Sequence, residues 1–285
     1  MSRGVESLLK VLFQVSSCQP STAYKHGIGE YVISSEEHYG RAQAQLAIDP
    51  DAVLSETRQV WEEAMLSAYS KVRAVADAIG RDYQVLDDFR VRLTGPAHPD
   101  AATLPEDWLR AFYLTMVLRD RKRCQDLCRI APGIVAHVAQ DGTPRGSARS
   151  RNWIDALQSY ILDIPGFVPV MRFLMRNTWG DDPFLRRHDT TGTLLSTMKL
   201  LFALECYDPE VVEEHLTEAL AIFTAYRDQA REAHPEESVP AFPLELIALA
   251  CRAQDMAEQD EDFTFELTSP LLPAGIVRNA WAPDH

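Results

Sequence analysis

The sequence predicts an all-α fold: a single domain of stacked antiparallel helices, with one short extended segment near the C-terminus. Three observations predict it. Helix-start signals recur along the chain, apolar residues fall into long stripes at helical spacing, and no linker cleanly divides the 285 residues. Apolar residues make up 46% of the chain and charged residues 25%, an ordinary globular balance. At this length about three quarters of the unfolded surface can be buried, so a core is available without disulfides or metal.

The elements follow in order. Residues 1–17 read as an amphipathic helix, because Lys10 and Gln14 break the apolar stretch and no small-residue cleavage site follows. Ser34 and Glu37 form a capping box before a helix reaching about Ile48. Asp49-Pro50 reads as an N-cap followed by proline at the first helical position. The next helix carries the clearest stripe, with Val53, Thr57, Trp61, Ala64, Met65, Ala68, Val72, Val75, Ala76 and Ile79 on one face and Gly80 as its stop. Residues 82–93 fit either a short helix or a strand. Gly95, Pro96 and Pro99 mark a loop.

Thr103 and Glu106 form a second capping box. The helix behind it turns Leu109, Phe112, Tyr113, Met116 and Val117 inward, and it continues or breaks near Asp120 into a segment ending at Ile130. Residues 140–151 form a polar loop and 153–162 a helix. Pro165 and Pro169 bound an interruption before a short helix, and 180–193 is another loop. Residues 194–207 are an apolar helix. Asp208-Pro209 repeats the cap-and-proline signal, and Val212, Leu216, Ala219, Leu220, Phe223 and Tyr226 form the second long stripe. Pro240 and Pro243 open the last long helix, with Leu244, Ile247, Ala248 and Cys251 inward. Phe263, Phe265 and Leu267 alternate with polar residues, a period of two that marks the extended segment. The organisation is thus one helical domain over 1–285, the N-terminal helices of about 1–93 packing on a region of about 105–273.

Charge is unevenly placed. The formal net charge is −14. Residues 205–266 hold 17 acidic and 3 basic side chains, while the rest of the chain holds 25 of each, so the entire excess lies in one segment. Two dense clusters stand out: Glu210, Glu213, Glu214 and Glu218 near a helix start, and Glu258, Asp260, Glu261 and Asp262 past a helix end. The opposite pole is 110–151, with nine basic against three acidic residues. An acidic segment of this kind is either a solvated face or a surface that recruits a basic partner. The overall balance argues against nucleic-acid binding.

Catalytic signals are absent. The chain has no HExxH, no P-loop, no nucleophile elbow and no zinc cysteine framework. Gly27-Ile28-Gly29-Glu30 lacks the third glycine of a dinucleotide loop and reads as a turn. Glu214, His215 and Glu218 are the nearest approach to a metal cluster, without a matching helix of ligands, and His188 sits in a polar loop with no nucleophile beside it. Cys18, Cys124, Cys128, Cys206 and Cys251 are an odd, scattered set, read as reduced thiols, with Cys124 and Cys128 as small buried hydrophobes. No cofactor and no metal are expected. No apolar run approaches the roughly 20 residues of a membrane span, which points to a cytoplasmic protein without membrane contact.

Four segments together resemble a known family. They are Asp107-Trp108-Leu109-Arg110-Ala111-Phe112-Tyr113-Leu114 running through Leu118-Arg119-Asp120-Arg121 to Leu127-Cys128; Trp153-Ile154-Asp155-Ala156-Leu157-Gln158-Ser159-Tyr160; residues 219–226, ending in Tyr226; and Pro243-Leu244-Glu245-Leu246-Ile247-Ala248-Leu249-Ala250-Cys251, followed by Ser269-Pro270-Leu271-Leu272-Pro273. In order and spacing they resemble the immunity protein 49 family of bacterial polymorphic toxin systems. The chain departs from that pattern at Ser269-Pro270-Leu271, where a more acidic, tyrosine-bearing segment is expected. The matching residues are mostly apolar, so they carry fold. The resemblance implies a helical, non-enzymatic protein that neutralises a cognate toxin domain, commonly a nuclease, by direct contact. The acidic residues at 210, 213, 214, 218, 258, 260, 261 and 262 are then the candidate surface for a toxin with a basic face. The alternatives are a helical scaffold or regulatory module for another protein, and a helical enzyme whose site forms only in three dimensions.

Overall fold

The structure, a computed structural model, describes residues 28–81, 83–87, 90–93, 105–130, 148–176, 194–233 and 240–281. Ten helices run through these residues: α1 (Ile28–Gln45), α2 (Ser55–Arg81), α3 (Pro105–Val117), α4 (Arg121–Cys128), α5 (Ala148–Leu162), α6 (Phe167–Arg176), α7 (Leu194–Cys206), α8 (Pro209–Ala233), α9 (Leu244–Gln259) and the single turn α10 (Ala274–Val277). The expected all-α class is what the chain adopts. The segment that fitted helix or strand is a hairpin, β1 (Tyr83–Asp87) antiparallel to β2 (Arg90–Leu93), with an irregularity between Val85 and Asp87.

The core follows from the stripes. On α2, Thr57, Trp61, Ala64, Met65, Ala68, Val72 and Ala76 are buried against α1 and α3. On α8, Val212, Leu216, Ala219, Leu220 and Phe223 are buried, facing α7 and α9. α9 packs on α3, α7, α8 and α10, and it buries Leu244, Ile247, Ala248 and Cys251 together with five further residues. Buried apolar residues from Ala42 to Trp281 form one cluster.

Several polar groups inside that cluster are paired. Lys71 Nζ lies 2.6 Å from Asp107 Oδ1, with only 5% and 10% of the two side chains exposed, and the pair ties α2 to α3. The indole of Trp108 donates to Leu127 O at 3.2 Å, and Gln158 Nε2 donates to Ile130 O at 2.7 Å. A buried polar group needs such a partner, because an unmet donor costs about 1–3 kcal/mol.

Several expectations change. The helix through Ser34 begins at Ile28, so Ser34 and Glu37 lie within α1 rather than capping it, and 28–30 are helical rather than a turn. Asp49 does cap, but α2 begins at Ser55. The Asp49 carboxylate accepts from Val53 N at 3.2 Å, Leu54 N at 2.9 Å and the Thr57 hydroxyl at 2.6 Å. Pro50 therefore lies in a turn ahead of the helix, and Val53 is exposed. The chain breaks after Val117, as the alternative at Asp120 allowed. α6 starts at Phe167, so Pro169 sits in its first turn. Phe263 and Phe265 are buried and Leu267 half-buried, while Thr264, Glu266 and Thr268 are exposed, which matches the expected alternation. Residues 148–151, expected in the polar loop at 140–151, are instead the start of α5; residues 1–17, Thr103, His188, the rest of that loop at 140–147 and the loop at 180–193 lie outside the described residues.

Candidate partner-binding surface

The acidic candidates occupy the first half of α8 and the end of α9. Asp208 caps α8 by accepting from Val211 N at 3.2 Å, and Glu210 follows exposed in the first turn, where a carboxylate complements the helix dipole. Glu214 and Glu218 lie one and two turns further along, both exposed. Glu258 is exposed and accepts from Gln254 Nε2 at 3.0 Å. Asp260 is the C-cap of α9 and accepts from Asp262 N at 2.9 Å, with Glu261 exposed between them.

The fold brings the two clusters together. Glu213 Oε1 accepts from the backbone amide of Glu266 at 2.7 Å, across 53 residues of sequence. The Tyr207 ring, at the α7–α8 junction, packs on Phe263 with centroids 5.0 Å apart. The Tyr207 hydroxyl donates to the Asp260 carboxylate. That bond pulls the Asp260 pKa below its usual value and, with burial and the charges of Asp260 and Asp262, pushes the Tyr207 phenol up to about 12.

The two charge poles differ in how their charges are used. In the basic segment, Arg110 lies 3.7 Å from Glu36 and over the Tyr39 ring, Arg123 pairs with Asp120, and Arg129 lies 3.3 Å from Asp126. Arg119 is the most committed. Its guanidinium donates to Asp255 Oδ1 at 3.2 Å, Val117 O at 2.8 Å, Ile276 O at 2.6 Å and Val277 O at 2.5 Å. The Arg-Asp motif at 119–120 therefore joins α3, α9 and α10 and caps α4, which is structural work. In the acidic segment, Glu218 lies 3.5 Å from Lys199 and 3.7 Å from His215. Among the described residues, no cation pairs with Glu210, Glu213, Glu214, Glu258, Asp260, Glu261 or Asp262. Four of the nine basic residues, Arg110, Arg119, Arg123 and Arg129, thus have internal acidic partners, whereas most of the acidic candidates have no cationic partner among the described residues.

Sequence reasoning missed how α3, α5 and α7 end. Arg119, Asp163 and Tyr207 have φ of 54°, 53° and 59°, left-handed values that usually select glycine. Each follows a helix C-terminus, and the next amide reaches back five residues: Asp120 N to Thr115 O at 2.9 Å, Ile164 N to Ser159 O at 2.9 Å, Asp208 N to Ala203 O at 3.3 Å. A side chain at such a position costs about 1–2 kcal/mol against glycine. At two of the three, the following Asp that starts the next helix was the available signal.

A family model for immunity protein 49 matches residues 49–276. No curated protein and no solved structure matches the chain significantly. The matched span runs from the Asp49 cap into α10 and covers the helical frame from α2 onward: the chain belongs to the immunity protein 49 family.

Proposed function

We propose that this chain neutralises its cognate toxin by direct contact, through the acidic surface formed by the first half of α8 and the end of α9. The family implies an immunity role and a toxin partner. The observation that supports this surface is the unpaired charge of Glu210, Glu214, Glu258, Glu261 and Asp262, whereas Arg110, Arg119, Arg123 and Arg129 of the basic pole have internal acidic partners. A toxin whose active face is basic, as in a nuclease built to hold phosphate, is complementary to it. A single-sign face raises association rates by about 10- to 1000-fold. The same reading takes the chain as one cytoplasmic helical unit that acts by binding and not by catalysis.

The test is charge reversal at exposed positions: Glu210→Lys, Glu214→Lys, Glu258→Lys and Glu261→Lys together. Glu213 is left alone because its carboxylate holds the Glu266 amide. The variant should associate with the toxin at least tenfold more slowly at low salt, and the wild-type rate should fall steeply as ionic strength rises. Growth rescue on co-expression with candidate toxins identifies the partner. Unchanged capture and unchanged salt dependence in the variant would remove this surface from the model.

A further inference from the structure

Next to the acidic surface is an open cavity of about 520 Å³, lined by the ends of α3, α5 and α7, the start of α4 and one flank of α9. Three left-handed residues, Arg119, Asp163 and Tyr207, out of five such non-glycine positions among the described residues, stand on its wall. Three helix C-termini therefore converge on one space, and each places partial negative charge there.

The ionised groups on the wall are unequally available. Arg119 is taken up by Asp255 and three carbonyls. Arg252 donates through Nε to the Tyr160 hydroxyl at 3.2 Å, and it is the cation that bears on Glu205. Glu205 also feels Asp163. Burial first, and then the Asp163 charge, push the Glu205 pKa above its usual value. No described cation forms an ion pair with either carboxylate. Met116, Ile161, Leu204 and Met256 supply apolar wall, and the ring of Tyr207, 43% exposed, stands at the edge.

We propose that this cavity receives an arginine side chain of the bound toxin, its stem on the apolar wall and its guanidinium between Asp163 and Glu205. The inference rests on the reading that a basic toxin docks on the neighbouring acidic surface. Arginine suits the site better than lysine. Its planar fork can meet two carboxylates and stack on Tyr207, whereas an ammonium acts as a point charge. A buried anchor of this kind governs dissociation, while the outlying glutamates govern the rate of encounter.

The test titrates N-acetyl-L-arginine amide into the full chain, followed by NMR shifts of the Ile161 and Leu204 methyl groups, with the norleucine and glutamate analogues as comparisons. Saturable binding of the arginine compound in the millimolar range is expected, at least tenfold weaker in Glu205→Gln/Asp163→Asn. Both residues are exposed, and a thermal melt reports whether that variant remains folded. Equal binding of the norleucine analogue, preferred binding of the glutamate analogue through Arg121 and Arg252, or no saturable binding would each overturn the proposal. The outcome is separable from the surface test: arginine binding with charge-reversed capture unchanged keeps the cavity and removes the surface. Loss of capture without arginine binding does the opposite.

Discussion

Gly275 offers a sharp test of the packing. It lies in the single turn α10 and donates its amide to Asp51 O at 2.6 Å. A Cβ built on it would come within 2.6 Å of Asp51 O and closer still to Ala52 O, both of them backbone atoms. Gly275 does not have a left-handed φ, so the demand is for space, not for conformational freedom. The opposing backbone is itself held by the Asp49 carboxylate through Val53 N and Leu54 N, so neither side can give cheaply. Gly275→Ala should therefore cost about 3 kcal/mol, the upper part of the range for overpacking, including strain on the amide bond. At about 2–4 °C per kcal/mol for a chain near this size, the melting temperature should fall by about 6–12 °C. Gly40→Ala in α1 is the matched control, since a Cβ there meets nothing within 4 Å. It should stabilise the chain by about 0.5–1 kcal/mol through helix propensity. Thermal melts followed by circular dichroism read both. If Gly275→Ala melted within about 2 °C of the parent, the tight approach of α10 to residues 51–52 would be wrong.

Three further outcomes are expected. Asp107→Ala leaves the Lys71 ammonium without the carboxylate 2.6 Å away and should cost about 3–5 kcal/mol in chemical denaturation, whereas Lys71→Met combined with Asp107→Leu should recover most of it. For Asp49, burial raises the pKa, but the Thr57 hydroxyl and the amides of Leu54, Val53 and Ala52 outweigh it and hold the carboxyl below its usual range. The stability it supplies is therefore present above the ordinary carboxylate pKa and lost as pH falls through the folded value. Asp49→Asn should destabilise the chain at neutral pH and flatten the acid limb of its stability profile. Tyr207→Phe removes the hydroxyl that donates to Asp260, so the Asp260 carboxyl should titrate higher, as read from its carboxyl carbon by NMR.

The elements that were legible in the sequence are those governed by local chemistry and periodicity. The stripes at Trp61–Ala64–Ala68 and Leu216–Ala219–Phe223 are buried as their spacing required. Asp208-Pro209 starts α8 where the signal stands. The identical Asp49-Pro50 signal does not start α2, and the difference is long-range. Gly275, over 220 residues away, binds Asp51 O and draws the chain into a turn before the helix can begin. α10 was missed for a related reason: one turn of Ala-Gly-Ile-Val has no periodicity to read, and it is held by Arg119 from α3. The acidic residues of the candidate surface could be counted from composition. That their two clusters meet through Glu213, Tyr207 and Phe263 could not, because nothing local links positions 53 residues apart. The cavity was hidden for the opposite reason. Its left-handed corners carry Arg, Asp and Tyr where the usual marker is glycine.

The clasp between Asp51 and Gly275 also has a temporal side. Its two halves are made 224 residues apart, so the first long helices are synthesised well before α10 can lock the turn in front of α2. At about 5–20 residues per second, the interval is about 11–45 s. Until then α2 begins from an unclasped turn, and the Arg119 guanidinium lacks the two α10 carbonyls it finally holds. The turn in front of α2 is therefore among the last parts of the fold to close, after α9 and the residues between it and α10 have been made.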